Sequence, residues 1–185
     1  LGFRVVCSDI SSRALYSTGQ YSIPSDTVCY PAKLMHGHIE NLIDKGVDTI
    51  FYPCMSYNFN EKAGDNHYNC PVVAYYPELL GANIPRLKET RYLTPYFGLH
   101  KKAGFEKRAM EYFEKEFSVP RRETAAAVKK AYAAYEAYRR REVEEGEKYI
   151  RYAEENNLRI IVLAGRPYHI DPEINHGIDE LIGSL

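Results

Sequence analysis

The chain has 185 residues, of which 45% are hydrophobic and 26% charged, with a formal net charge of −1. That length fits one domain, or a domain with a helical appendage, and is enough to bury a sizeable core. The near-neutral charge argues against a nucleic-acid surface, and an apolar run no longer than 160 to 165 argues against a membrane span.

Four cysteines are too few for a disulfide scaffold, so they read as free thiols or metal ligands. No basic-plus-apolar leader opens the sequence, which predicts a cytoplasmic protein. The start at Leu1 rather than Met reads as a fragment of something larger.

Phe3 to Cys7 is a short apolar run and is predicted to be a first strand. The Ser-, Gly- and Pro-containing stretch from Ser17 to Ser25 reads as loop. A helix is predicted from about Pro31, because proline is favoured at the first helical position. Leu34, Met35, His38, Ile39, Leu42 and Ile43 follow at helical spacing, and Gly46 is the expected stop. Val47 to Tyr52 reads as a second strand and Pro71 to Tyr76 as a third, separated by a polar segment from Ser56 to Asn69. Strand, helix and strand in that order imply a parallel sheet.

The middle of the chain is a different material. Residues 101–157 hold 26 of the 49 acidic and basic side chains, with both signs interleaved. A helix is expected around Phe105 to Phe117, and a long amphipathic one after Pro120. Val128, Tyr132, Tyr135, Val143, Gly146, Ile150 and Ala153 form the apolar stripe of the long helix, with Arg139 in its gap. The mixed charge reads as a solvated face.

Arg159 to Ala164 is predicted to return to strand. Asp171 and Pro172 then supply an N-cap and first helical residue, with Ile174, Ile178, Leu181 and Ile182 as a buried stripe. The sequence is expected to stop in mid-fold. The predicted class is α/β, with a parallel Rossmann- or flavodoxin-like core and a long charged helical insert. Its parts are a cysteine-bearing part over 1–100, helices over 101–157, and a return to α/β over 158–185.

Cys29 is expected just before a helix, Cys54 at the carboxyl end of the second strand, and Cys70 just before the third strand. Ligands gather outside the carboxyl ends of strands in open α/β sheets, and helix N-termini favour thiolates. No compact CxxC spacing joins the cysteines, so inert buried thiols, a metal site and redox chemistry all stay open. Cys7 reads as a packing residue. His38 shares the apolar helix face and reads as a packed, hydrogen-bonded histidine. His36 points elsewhere, toward a site or toward water.

Lys33, in the first helical turn, could meet an anion or simply face solvent. Gly165-Arg166-Pro167-Tyr168-His169 follows a predicted strand and forms a second candidate site. There Arg166 could grip phosphate or carboxylate, or pair locally, and His169 could act as acid or base.

Four separated segments carry a resemblance. They are Ser25 to His38, Gly46 to Pro53, Tyr68 to Val73, and Ala164 to His169 together with Asn175 to Ile178. In that order they resemble the CoA-substrate-specific enzyme activase family, related to activators of 2-hydroxyacyl-CoA dehydratases. The resemblance implies a dehydratase-like α/β unit whose Cys29, Cys54 and Cys70 hold an iron–sulfur cluster, expected to be 4Fe-4S.

It also implies low-potential electron transfer or reductive chemistry on a small or CoA-linked substrate. The implied partner is an activator ATPase module or a dehydratase-like subunit. No phosphate-binding ATPase loop occurs in this chain. The alternatives are a non-catalytic docking or regulatory domain acting through the Tyr-rich helix, and a structural zinc site at the same thiols.

Overall fold

The fold was described from a computed structural model, which covers residues 1–60, 62 and 64–184. The chain forms two compact units. One comprises Gly2–Phe105 with Gly165–Leu185, and the other comprises Glu106–Ala164 with Leu1.

In the cysteine-bearing unit, helices α1 (Arg13–Gly19) and α2 (Tyr30–Asp44) precede a short strand, β1 (Thr49–Phe51). Helix α3 (Pro71–Asn83) crosses from β1 to β2 (Arg91–Leu93), which pairs parallel with it in the register Thr49↔Arg91, Ile50↔Tyr92 and Phe51↔Leu93. The architecture is therefore mixed α/β, with a sheet of two parallel strands among the described residues.

The α2 helix starts and stops where local chemistry requires. Pro31 sits in its first turn, and Gly46 beyond its end takes φ +68°, a left-handed conformation that glycine adopts without steric cost. The buried face of α2 packs Ala32 and Ile39 against Ile50 of β1 and Tyr76, Leu80 and Ile84 around α3. A second cluster joins Leu15 and Tyr16 of α1 to Leu34. At this crossing Gly19 and Gly37 let the two helix backbones touch, a contact that excludes any Cβ.

Three predicted strands are corrected. Residues 71–76 are helical. Val72, Val73, Tyr75 and Tyr76 are strand formers locally, yet Ala74, Pro77, Leu80 and Ile84 are buried at steps of three and four, the period of a helix packed on one side. Pro77, read as a strand terminator, lies inside α3. It contributes no N–H, and its carbonyl accepts from the Tyr92 hydroxyl at 2.7 Å, which fastens α3 to β2.

Residues 3–7 and 159–164 form no strand. A strand exists only where a neighbouring backbone completes its ladder, and neither segment has one; Val5 is 81% and Val162 82% exposed. Hence, among the described residues, two strands form where a larger sheet was expected. Cys7, read as a packing residue, is exposed.

The stretch from Ser17, read as loop, instead contains the end of α1 and a 3-10 turn, Gln20–Ser22. Ser12 caps α1 by accepting from the Leu15 N–H.

Near the C-terminus, the expected cap at Asp171 forms. Its Oδ1 accepts from the Glu173 and Ile174 N–H groups at 3.0 and 3.2 Å, starting helix α6 (Pro172–Asn175). His176 and Gly177 then take left-handed backbone, φ 56° and 74°, and split the predicted helix before α7 (Ile178–Gly183). The expected buried stripe does not form, for Ile178 and Leu181 are exposed.

Asp171 also accepts the Ser11 hydroxyl at 2.5 Å. Because Ser11 gives its proton to Asp171, His38 Nε2 donates to Ser11 (3.0 Å) and its Nδ1 accepts from Ser8 (2.8 Å). His38 is thus the packed, hydrogen-bonded residue that its helix face predicted. Asp171→Ala should cost about 1–2 kcal/mol through the lost cap. Amide exchange at Glu173 and Ile174 should accelerate, and unchanged protection there would contradict this role.

The second unit contains most of helix α4 (Lys102–Phe117) and all of α5 (Arg121–Glu155), close to the predicted bounds. Arg121 Nε reaches Glu114 Oε2 at 2.7 Å across the bend between them. Val128, Tyr132 and Ala153 of the predicted stripe are buried, whereas Val143 and Ile150 are exposed.

Candidate functional site around three thiols and a cleft

Cys29 is the N-cap of α2. Its backbone is extended and its carbonyl accepts from Ala32 and Lys33 at 3.1 and 3.2 Å, while the thiol makes no capping bond and is exposed. Cys70 is placed in the same way at the start of α3, where its carbonyl accepts from Ala74 at 3.0 Å and its uncapped thiol is exposed. Serine, threonine or aspartate would normally satisfy such an N-terminus. Two cysteines instead leave their sulfurs available where the helix dipole favours negative charge.

Cys54 differs. It follows β1 and continues the pairing as a bridge to Tyr96, with its N–H on Pro95 and its carbonyl on the Phe97 N–H. The residue is fully buried. Burial raises its thiol above the usual range, and the Glu78 charge adds to that.

The polar segment between Cys54 and Cys70 folds back on itself. Tyr57 and Tyr68 form an antiparallel bridge, and Asn58 N–H reaches the His67 carbonyl at 2.8 Å. At its base the Asn69 side chain donates to the Met55 carbonyl (2.7 Å) and its N–H to the Ser56 carbonyl (3.0 Å). The residue after Cys54 is therefore bonded to the residue before Cys70. Closure of this loop returns the start of α3 to the carboxyl end of β1.

Three buried or half-buried tyrosines lie among these elements: Tyr52, Tyr76 and Tyr92. Desolvation raises all three hydroxyls, Tyr76 to about 12, so each remains protonated at neutral pH. Cys29 lies near enough to Tyr76, and Cys54 to Tyr52 and Tyr92, to act electrostatically on them. Among the described residues, no three His, Cys, Asp or Glu side chains are grouped closely enough to hold one metal ion. The thiols thus share one region without forming a preassembled ligand set.

The other predicted residues divide. Lys33 is occupied, its Nζ donating to the Asp26 carbonyl at 2.8 Å and bracing the turn before Cys29. Arg166 lines a cleft of about 510 Å³ together with Cys70. His169 turns back so that its Nδ1 accepts from the Arg166 N–H at 2.8 Å, and it lies where a Cβ on Gly165 would stand.

Sequence reasoning missed two groups. Tyr30, next to Cys29, donates to Glu173 at 2.6 Å and stacks on His176. Both partners lie more than 140 positions away, although the Asn175-to-Ile178 segment was already singled out. His36 is fully buried, with its ring nitrogens 2.7 Å from Ser22 Oγ and 2.9 Å from the Tyr76 hydroxyl. The reading that it faced a site or water is corrected.

This is a small parallel β-α-β unit with uncapped cysteines at two helix N-termini and a third at a strand end. Residues 1–185 match the family described as the CoA enzyme activase uncharacterised domain, and the chain belongs to that family. No curated protein and no solved structure matches it. Among the described residues, no helix is long and apolar enough to cross a membrane.

Proposed function

We propose that this domain binds an iron–sulfur cluster through Cys29, Cys54 and Cys70, as part of a dehydratase/activase system in the cytoplasm. The observation that carries the reading is the uncapped, exposed thiol at the N-terminus of both α2 and α3, with the loop closure that ties the second to the chain beside Cys54. Thiolates are the ligands such clusters require. When bound, the cluster supplies low-potential electron transfer or reductive chemistry.

Cys54 would hold it from the buried end of the β1 segment, and Cys29 and Cys70 from the exposed N-termini of α2 and α3. Because the set is not preassembled, metal binding is coupled to local rearrangement. The partner in this reading is an activator ATPase module or dehydratase-like subunit. The exposed apolar segments 3–7 and 159–164 offer it strands with which to enlarge a Rossmann-like sheet.

The test is anaerobic reconstitution followed by iron, sulfide and zinc analysis with visible and EPR spectra. About four iron and four sulfide per chain are expected for a 4Fe-4S cluster. Serine at Cys29 or Cys70 should abolish the stable signal, whereas serine at Cys7 should leave it unchanged. A colourless, iron-free protein after reconstitution would falsify the reading, and stoichiometric zinc in place of iron would convert it to a structural zinc site.

A second reading, a docking domain, is favoured by the exposed aromatics Tyr138, Tyr149 and Tyr152 of α5. It predicts a change of oligomeric state when residues 121–157 are trimmed.

A further inference from the structure

The cleft at Arg166 carries chemistry of its own. Its volume, about 510 Å³, lies in the range of small-molecule sites. Its wall combines one cation with neutral polar groups and two aromatic faces: Arg166, Ser56, Asn66, Tyr68, Tyr75 and Cys70. No carboxylate lines it, and among the described residues no acidic side chain is paired with the Arg166 guanidinium. By contrast Arg86 is paired with Glu40 and Asp44, and Arg121 with Glu114.

The cleft is also built rather than incidental. The loop that supplies Asn66 and Tyr68 is closed by the Asn69 bonds at its base, and Asn66 Oδ1 is committed to the Tyr68 N–H at 3.0 Å, which directs the amide's NH2 end away from that bond. On the opposite side, the Arg166 backbone is held by the His169 ring. Guanidinium, amide N–H and hydroxyl groups are all donors, and donors without a counter-charge recognise an oxyanion.

We propose that this cleft is a binding site for a small organic anion. Its carboxylate or phosphate is taken by Arg166 and the Asn66 amide, and its body lies against Tyr68 and Tyr75. The position of Cys70 on the wall deepens the proposed function, because it would place the anion beside the cluster. Anion binding itself requires no metal, so the two readings fail separately.

The experiment is calorimetric titration of the metal-free protein with inorganic phosphate, propionate, 2-hydroxypropionate and CoA, with side-chain amide NMR as a second readout. At least one probe should saturate and shift the Asn66 amide. Arg166→Gln should weaken that probe at least tenfold with an unchanged melting temperature, and Lys33→Gln should bind as the parent does. Saturation by propionate or 2-hydroxypropionate but not phosphate identifies a carboxylate ligand, and the converse a phosphate ester. Absence of binding by every probe at millimolar concentration overturns the site, as does equal binding by the Arg166→Gln protein. Loss of the cluster with anion binding retained would sink the iron–sulfur reading alone.

Discussion

Alanine at Gly37 is expected to destabilise the cysteine-bearing unit by about 3 kcal/mol or more, at the upper end of overpacking costs. A Cβ there would lie 2.1 Å from the Leu15 carbonyl oxygen, and one on Gly19 would lie 2.2 Å from the Gly37 nitrogen. The obstacles are backbone atoms of α1 and α2, which no rotamer change can move. Relief therefore requires the helices to separate, and that unpacks Leu15, Tyr16 and Leu34.

The melting temperature should fall by about 10 °C for a chain of this size. Gly146→Ala is the contrast, because it lies inside α5 with nothing within 4 Å of the added methyl. It should be neutral or stabilise by about 0.5–1 kcal/mol. If the Gly37→Ala protein melts within 2 °C of the parent, the helices do not cross as described.

The two glycines illustrate what was legible in the sequence and what was not. Features encoded over a few residues could be read directly. Pro31 and Gly46 bracket α2, Pro120 precedes α5, and Asp171-Pro172 marks a cap, because each acts through its own backbone neighbours. Features that depend on distant partners could not. Phe3 to Cys7 and Arg159 to Ala164 have strand composition but no ladder, whereas Pro71 to Tyr76 has strand composition and a helical environment. Only Leu15 and Tyr16 supply the buried apolar face of α1, too few to reveal a period.

The site divides in the same way. The placement of Cys29 and Cys54 at element ends follows from local signals. The return of Cys70 depends on Asn69 finding Met55, and the pairing of Arg166 with a cleft depends on a segment about 100 residues away. Local sequence thus placed the chemistry-bearing residues, while long-range closure decided which of them meet.

The same long-range logic makes His36 the source of a pH effect. Ser22 donates its proton to the Gly19 carbonyl (2.9 Å), so His36 Nδ1–H must donate to Ser22 Oγ, and Nε2 accepts from the Tyr76 hydroxyl. Both nitrogens are satisfied only in the neutral ring. Protonation would set an Nε2–H against the Tyr76 O–H in a fully buried site.

Desolvation pushes the His36 pKa down to about 4, opposed in part by the Glu40 carboxylate on the next turn. The unfolded chain takes up this proton near 6.5, whereas the folded chain does so only near 4. Stability from this group is therefore complete above about pH 6.5 and is lost as pH falls toward 4, by about 3 kcal/mol in total. His38, also lowered by burial, adds in the same direction.

Urea unfolding at pH 7 and at pH 4.5 should differ by at least about 2 kcal/mol. His36→Gln, which keeps hydrogen-bonding groups but cannot titrate, should be less stable at pH 7 and lose most of that difference. A pH profile that the substitution leaves unaltered would refute the assignment. Because His36 lies on α2 and Tyr76 on α3, the acid-sensitive bond also fastens together the two helices whose N-termini present Cys29 and Cys70. Acid should therefore loosen the thiol region through this bond.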